Sequence, residues 1–309
     1  EWMIYDRALN DEEREGVESQ LVKKYLKPSV ALTIDSATPQ RNGVIPPARN
    51  TSIAAPKGLP KAPAEEFLAA FYLGAHGTLG HDLLQPARLG QRVMAWGNLA
   101  PGASADHLLA YQGGQDGHTP LLIRASAKEM PVIKDQWPLL RFAAGDTLEG
   151  KGSTSIQSKL DDRELTAYWL VRCTGDSGTL AEFETPTTTP ALEIGYQAGK
   201  LSAAVLEGGG RKAATVSAAP TGEWSLIGMT WNGQEKKLRL WTVAPGGVRS
   251  APGEVDSPVD TLAIDGYRIG KAGGAFSGDI GAVMIYRKAL DETQQRAVED
   301  YLRGQVFAK

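Results

Sequence analysis

Residues 278–290 read Gly-Asp-Ile-Gly-Ala-Val-Met-Ile-Tyr-Arg-Lys-Ala-Leu, and their pattern indicates how the domain ends. The short, mostly apolar run from Asp279 to Tyr286 is typical of a β-strand. Asp291 follows it, with Gln294 three residues further on, and this spacing predicts a helix that begins with a capping box. The stretch therefore predicts a strand that leads directly into a short helix and closes a domain at the C-terminal end of the chain.

The same pattern occurs a second time at the N-terminal end. Residues 2–9 read Trp-Met-Ile-Tyr-Asp-Arg-Ala-Leu, whereas residues 283–290 read Val-Met-Ile-Tyr-Arg-Lys-Ala-Leu. At the same offset of 281 positions, further identical pairs are Val17 with Val298, Glu18 with Glu299, and Leu21 with Leu302. Asn10 stands at the predicted N-cap with Glu13 three residues on. We expect residues 1–27 to form a closing strand and helix like the end of a preceding domain, and the sequence to be part of a longer polypeptide.

The rest of the chain divides into an arm and a β-rich domain. Residues 28–64 are rich in proline and contain no aromatic residue, which predicts a largely extended linker. From residue 65 onward, short alternating runs are separated by glycine-containing turns such as Asn232-Gly233. This pattern predicts an all-β domain over residues 65–309. The expected architecture is an antiparallel two-sheet jelly-roll sandwich with one short C-terminal helix.

Composition excludes several classes of protein. With 33 Lys and Arg against 36 Asp and Glu, the net charge is −3, which argues against a nucleic-acid partner. No apolar run approaches the roughly 20 residues that a membrane-spanning helix needs. Cys173 is the single cysteine, so an intrachain disulfide and a multi-thiolate zinc site are both excluded. The four histidines follow no compact metal-binding spacing.

Several segments, taken in order, resemble one known family. Residues 278–290 are similar to the closing signature of LamG-like domains in the concanavalin A-like lectin/glucanase superfamily, and residues 222–233 are similar to the family's central hairpin. Residues 93–98, 107–112 and 139–146 resemble segments of its bacterial variety. The resemblance implies two antiparallel sheets, a carbohydrate- or protein-binding surface, in some members a calcium ion, and an extracytoplasmic location in the periplasm, at the cell surface or in secreted form.

Glycosidases on such scaffolds need two carboxylic acids that face one cleft. Glu182 and Glu184 share one face of a predicted strand and are the catalytic candidates. Pro186 follows them and predicts that the strand ends there or lies at a sheet edge, where two solvated acids are ordinary. We therefore expect no catalysis, and no cofactor beyond a possible calcium ion, for which Asp279 and Asp265 are the candidate ligands.

A ligand-binding surface is predicted on the strand over residues 237–243. Alternation places Leu238 and Leu240 on the inner face, and it places Lys237, Arg239 and Trp241 together on the outer one. An indole beside two cations is a candidate platform for a ligand. The alternative reading is that Trp241 stacks on Arg239 or covers a neighbouring loop.

Three functions remain open at the level of sequence. The first is a non-catalytic binding or adhesion module, for a carbohydrate or a protein, within a larger secreted or cell-surface protein. The second is a structural or accessory subunit of a large assembly, anchored to other chains through residues 1–64. The third and least favoured is a glycoside hydrolase or lyase.

Overall fold

The computed structural model describes residues 59–74, 76–80, 86–101, 108–110, 119–126, 128–151, 162–186, 190–206, 210–218, 221–270 and 276–308. The predicted closing element at residues 1–27 lies outside the described residues, as does the predicted linker up to residue 58. All structural statements below concern the described part of the chain.

The elements are almost entirely strands. They are β1 (Leu68–Leu73), β2 (Thr78–Leu79), β3 (Ala95–Trp96), β4 (Leu108–Ala110), β5 (Leu121–Arg124), β6 (Pro138–Phe142), β7 (Thr147–Lys151), β8 (Glu164–Cys173), β9 (Ser177–Glu184), β10 (Pro190–Gln197), β11 (Lys200–Val205), β12 (Lys212–Ser217), β13 (Trp224–Asn232), β14 (Lys237–Val243), β15 (Gly253–Asp256), β16 (Gly266–Gly270) and β17 (Gly278–Tyr286), followed by helix α1 (Glu292–Val306). A single 3₁₀ turn, Glu65–Phe67, precedes β1.

These strands form two antiparallel sheets. The eight-stranded sheet has the order β15-β14-β13-β8-β17-β6-β5, with β1 also paired to β17. The nine-stranded sheet has the order β12-β11-β10-β9-β16-β7-β4-β3-β2. The described residues therefore form a β-sandwich with one short C-terminal helix, and the predicted fold class is confirmed.

The beginning of β17 is held to both neighbouring strands by the side chain of Asp279. Asp279 is fully buried, and its carboxylate accepts hydrogen bonds from Arg141 of β6 and Arg172 of β8. At Gly281 the register of β17 shifts, so that the strand pairs with β6 before this point and with β1 after it. A Cβ at Gly281 would lie 2.9 Å from the Leu170 side chain, so a larger residue there would require the end of this leucine to shift.

The apolar residues form two layers instead of one. On β8, Trp169 and Val171 point between the sheets, whereas Tyr168 and Leu170 point to the outer face of the eight-stranded sheet. This outer face is apolar as well, and α1 packs against it. The helix residues turned toward the sheet are Gln295, Val298, Glu299, Leu302 and Val306.

Helix α1 begins as the sequence predicts. Asp291 is the N-cap: its side chain accepts a hydrogen bond from the Gln294 backbone N–H, and the Gln294 side chain accepts one from the Asp291 backbone N–H, which is a complete capping box. The end of the predicted linker packs beside the helix: Ala62 is buried, the Tyr286 hydroxyl donates to the Pro63 carbonyl, and the Tyr301 hydroxyl donates to the Pro60 carbonyl. The chain is thus fastened to the domain several residues before β1 begins.

Candidate functional site

A group of charged side chains lies on the outer face of the nine-stranded sheet. On β16, Tyr267 and Ile269 point into the core between the sheets, so Arg268 between them points away from it. In register, Arg268 lies opposite Glu149 of β7 on one side and opposite Glu182 of β9 on the other. We call Arg268, Glu149, Glu182 and Glu184 the Arg268 cluster.

The distances define a branched ion-pair cluster. The guanidinium of Arg268 lies 3.1 Å from a carboxylate oxygen of Glu149, 3.3 Å from one of Glu182 and 2.5 Å from one of Glu184. Three carboxylates from two strands thus converge on one cation supplied by the strand between them. Because a guanidinium presents five N–H donors in a fixed plane, it can serve several carboxylates at once and hold their positions.

The burial of Glu182 and Glu184 corrects the prediction that they are solvated acids on an edge strand. Glu182 is 1% exposed and Glu184 is 2% exposed, so neither is a solvated surface acid. Their strand, β9, is hydrogen-bonded to β10 on one side and to β16 on the other, and is therefore an interior strand. Pro186 lies beyond the end of β9 and does not confine it to an edge. The prediction of an edge position was wrong because a proline near a strand end says nothing about the strand's neighbours.

The polar row continues across the sheet beyond the cluster. Glu193 of β10 lies opposite Glu182, and it forms a 3.1 Å ion pair with Arg211, just before β12. The side chain of Arg211 is 47% exposed and that of Glu193 is 21% exposed. Arg268 and Glu149 keep 13% and 14% exposure. The row therefore has two buried members that hold it in place and four members that solvent reaches.

The predicted ligand platform on β14 has a different arrangement from the one expected. Lys237 and Arg239 share the outer face, but both are engaged by acids of the neighbouring strand: Lys237 lies 2.7 Å from Asp256, and Arg239 lies 2.6 Å from Glu254. Trp241 is fully buried. Its indole N–H donates to a carboxylate oxygen of Glu299 at 2.8 Å.

The interpretation of Trp241 as an exposed platform is therefore wrong, because α1 covers its end of β14. The indole lies over Gly228 of β13, where even a Cβ would overlap the ring. The cation stacked on the indole is Arg249, 4.1 Å from the ring centre, and not Arg239. The Trp241–Glu299 contact was missed, although the identity of Glu18 and Glu299 in the internal repeat was a signal that this acid had a role.

The calcium candidates do not come together. Both carboxylate oxygens of Asp279 are engaged by Arg141 and Arg172, so Asp279 is not available as a calcium ligand. Asp265 lies at the start of β16 in the other sheet, where its backbone N–H donates to the Glu184 carbonyl. In the part of the chain that the structure describes, no group of three or more His, Cys, Asp or Glu side chains is placed to hold a metal ion.

Two other reactive side chains show no sign of activation. Burial raises the pKa of the Cys173 thiol to about 12, so the thiol stays protonated and behaves as a small apolar group. Burial also lowers the pKa of His76, the one histidine inside the described ranges. Neither residue belongs to the charged row.

No family model matches the chain, and no curated protein matches it. Among solved structures, the binding domain of botulinum neurotoxin serotype D is 9% identical over 78% of this chain and 51% of that one, with a TM-score of 0.47. The CBM40 of the Ruminococcus gnavus IT-sialidase is 14% identical over 52% of this chain and 95% of that one, with a TM-score of 0.42. Trypanosoma rangeli sialidase in complex with sialic acid is 11% identical over 80% and 34%, with a TM-score of 0.49. The chain spans about half the length of the neurotoxin domain it matches. None of the described helices is both long and apolar enough to cross a bilayer.

Proposed function

We propose that the chain is a non-catalytic binding module whose ligand, a glycan or a protein, is held by the outer face of the nine-stranded sheet. The observation that carries the proposal is the difference between the two outer faces. On the eight-stranded sheet, α1 and the end of the arm cover the apolar part of the outer face, and the charged pairs of β14 and β15 lie outside that part. The outer face of the nine-stranded sheet instead carries a row of charged groups held in fixed positions.

The Arg268 cluster supports binding because its members are positioned before a ligand arrives. Glu182 and Glu184 are buried and fix the guanidinium of Arg268. The accessible members then offer hydrogen-bond donors and acceptors at set spacings along neighbouring strands. Such fixed groups lose little conformational freedom on binding, and this favours affinity for hydroxyl-rich or polar ligands.

The same geometry argues against hydrolysis. A glycosidase needs two carboxyl groups placed on either side of a scissile bond. Here Glu182 and Glu184 are both buried and both form ion pairs with one guanidinium. Turnover of a polysaccharide by the purified chain, abolished by Glu182→Gln together with Glu184→Gln, would overturn this part of the proposal.

The resemblance of several segments to LamG-like, concanavalin A-like domains supports the same function and suggests its setting. We propose that the chain is part of a larger extracytoplasmic bacterial protein. Residues 1–27 and the proline-rich segment that follows are in keeping with a multidomain arrangement.

Binding can be measured on a glycan array and in pull-down experiments, with two matched pairs of variants. Arg211→Ala and Glu193→Ala break an accessible ion pair on the proposed face, and we expect at least a tenfold loss of ligand affinity. Arg239→Ala and Glu254→Ala break a comparable ion pair on the other sheet, and we expect no change. Equal losses from both pairs, or the absence of any glycan or protein ligand at high protein concentration, would contradict the proposal.

A structural role in an assembly is the second candidate, and one observation favours it. The arm is fastened to the domain through hydrogen bonds from Tyr286 and Tyr301 to carbonyls of Pro63 and Pro60. A segment held in this way enters the domain at a defined place and could join it firmly to another body. If this role is correct, deletion of residues 1–58 should change the assembly state in analytical ultracentrifugation while the circular dichroism of the domain stays the same. An unchanged assembly state would exclude it.

A further inference from the structure

A row of polar side chains crosses the outer face of the eight-stranded sheet where β17 begins. In register, Asp279 of β17 lies between Arg172 of β8 and Arg141 of β6. On the next strand, Trp224 of β13 lies opposite Arg172. The strand neighbours of Asp279 and of the two arginines point between the sheets, and Trp224 belongs to the layer on the outer side, so all four share the outer face. We call these four residues the Asp279 row.

Asp279 engages only one side of each guanidinium. Arg141 donates to its carboxylate through Nε at 2.8 Å and through Nη2 at 3.3 Å. Arg172 donates to it through Nε at 2.9 Å and also through Nη2. A guanidinium carries five N–H donors, so each arginine keeps unused donors on its Nη1 end. Neither Nη1 atom has an acceptor among the residues that the structure describes.

The charge and exposure of the row favour an anion. Two guanidinium groups meet one carboxylate, so the row carries one more positive charge than negative charge. Hydrogen bonding to Asp279 raises the pKa of Arg141, and the nearby Glu129 raises it further. The side chain of Arg141 is 42% exposed and that of Arg172 is 15% exposed, whereas Asp279 is fully buried. Solvent therefore reaches the cations of the row but not its acid.

Trp224 adds an independent observation. This residue is 3% exposed, and its indole N–H is buried with no acceptor within the described ranges. A buried N–H donor is normally paired, and a ligand oxygen is one partner that satisfies it. Side chains directly opposite each other on neighbouring strands have Cβ atoms about 5 Å apart. One bound group can therefore contact both the indole of Trp224 and the guanidinium of Arg172.

We propose that the Asp279 row is a binding site for a small oxyanion, namely a sulfate, phosphate or carboxylate group. The oxyanion accepts hydrogen bonds from the Nη1 ends of Arg141 and Arg172 and from the indole of Trp224. Asp279 holds both guanidinium groups in place from the other side. Arginine suits this role because its planar donors match two oxygens of such a group. The row lies on the opposite sheet from the face proposed above for a glycan or protein, so the two proposals are tested independently.

The first test follows the indole N–H of Trp224 by nuclear magnetic resonance. The full chain, labelled with nitrogen-15, is titrated with sodium sulfate, sodium phosphate and sodium acetate, and with sodium chloride at equal ionic strength. The variant Trp224→Phe assigns the resonance. We expect a saturable shift with at least one oxyanion and none with chloride, and the relative affinities identify the preferred oxyanion. No saturable shift with any of the three, or an equal shift with chloride, would overturn the proposal.

The second test measures the affinity of variants for that oxyanion by calorimetry. Arg141→Lys keeps the charge beside Asp279 but removes the planar donors, and Trp224→Phe keeps a ring but removes the N–H. Loss of a hydrogen bond to a charged group should weaken binding by about tenfold in each case. Arg239→Lys, on the same sheet but outside the row, is the matched control and should bind as the parent does.

If Arg141→Lys does not fold, Trp224→Phe decides, because removal of an unpaired buried donor carries no hydrogen-bond penalty. An affinity of Trp224→Phe equal to that of the parent, or an equal loss in Arg239→Lys, would contradict the proposed site.

Discussion

The two outer faces of the sandwich are built from the same alternating strands but are completed in different ways. On the eight-stranded sheet, α1 covers the large apolar outward residues with one acid, Glu299, bonded to Trp241, whereas the charged Lys237 and Arg239 lie outside the covered part. On the nine-stranded sheet, the outward residues at the centre are charged, and three carboxylates form ion pairs with Arg268. The first face gains its stability from a covering element, whereas the second gains it from pairing within the sheet. Variants on each face can test this contrast.

The largest effect is expected for Arg268→Ala. This change leaves Glu149, Glu182 and Glu184 without the guanidinium on which they converge. Removal of one partner from a buried charge cluster costs about 3–5 kcal/mol. We therefore expect the free energy of unfolding, measured in urea, to fall by roughly this amount. Arg211→Ala on the same face is the control. If Arg268→Ala lowers the free energy of unfolding no more than Arg211→Ala does, the cluster does not stabilise this face.

The other face is tested by Trp241→Phe, which keeps an aromatic ring but removes the indole N–H. Glu299 then loses its 2.8 Å hydrogen bond in a buried setting. The loss of one partner from a buried hydrogen bond costs about 1–3 kcal/mol, and more if the remaining group is charged. We expect a decrease of this size in urea unfolding. In the double variant with Glu299→Gln the two effects should be less than additive, because the residues share one bond. Strict additivity would contradict the contact.

The sequence predicted the strands and their faces better than it predicted what covers those faces. Alternation alone correctly separated Leu238 and Leu240 from Lys237, Arg239 and Trp241 on β14. Whether the outer face of β14 is exposed depends instead on α1, whose Glu299 lies 58 residues after Trp241 in the chain. A local pattern cannot contain that information, so the sequence left open whether Trp241 is a ligand platform or a covered side chain, and the structure shows it buried.

The prediction of the candidate site was limited for the same reason. Glu182 and Glu184 were identified from their spacing, but their partner Arg268 is 86 residues from Glu182 and reaches it through the pairing of β16 with β9. Long-range pairing of this kind decides whether two acids form a catalytic pair or an ion-pair cluster. The internal repeat is the exception, since it carried information about Glu299 within the sequence itself.

A smaller effect is expected in the pH dependence of stability, and it arises from Glu299 on the covered face. Burial raises the pKa of Glu299, and the neighbouring Arg249, Arg296 and Trp241 oppose this rise only in part. A carboxyl with a raised pKa in the folded state binds a proton more readily there than in the unfolded chain. Its contribution to stability is therefore present at acidic pH and is lost as the pH rises through the folded-state pKa.

The variant Glu299→Gln removes this titration and keeps an acceptor for the Trp241 N–H. As the pH rises from 5 to 8, the parent should therefore lose free energy of unfolding relative to the variant. Urea unfolding at several pH values measures this difference. A difference that stays constant with pH, or shifts in favour of the parent, would show that burial between α1 and the sheet does not raise the pKa of Glu299.

The smallest effect is expected for Arg239→Ala, at the part of the eight-stranded sheet that α1 leaves uncovered. Arg239 pairs with Glu254 and Glu235, but all three side chains are more than a third exposed. Water screens such pairs, and their net contribution is about 0–1 kcal/mol. We expect a change within this range in urea unfolding, reduced further in high salt. A loss as large as that of Arg268→Ala would mean that charge pairing stabilises both faces equally, and the contrast between a covered face and a self-paired face would then be lost.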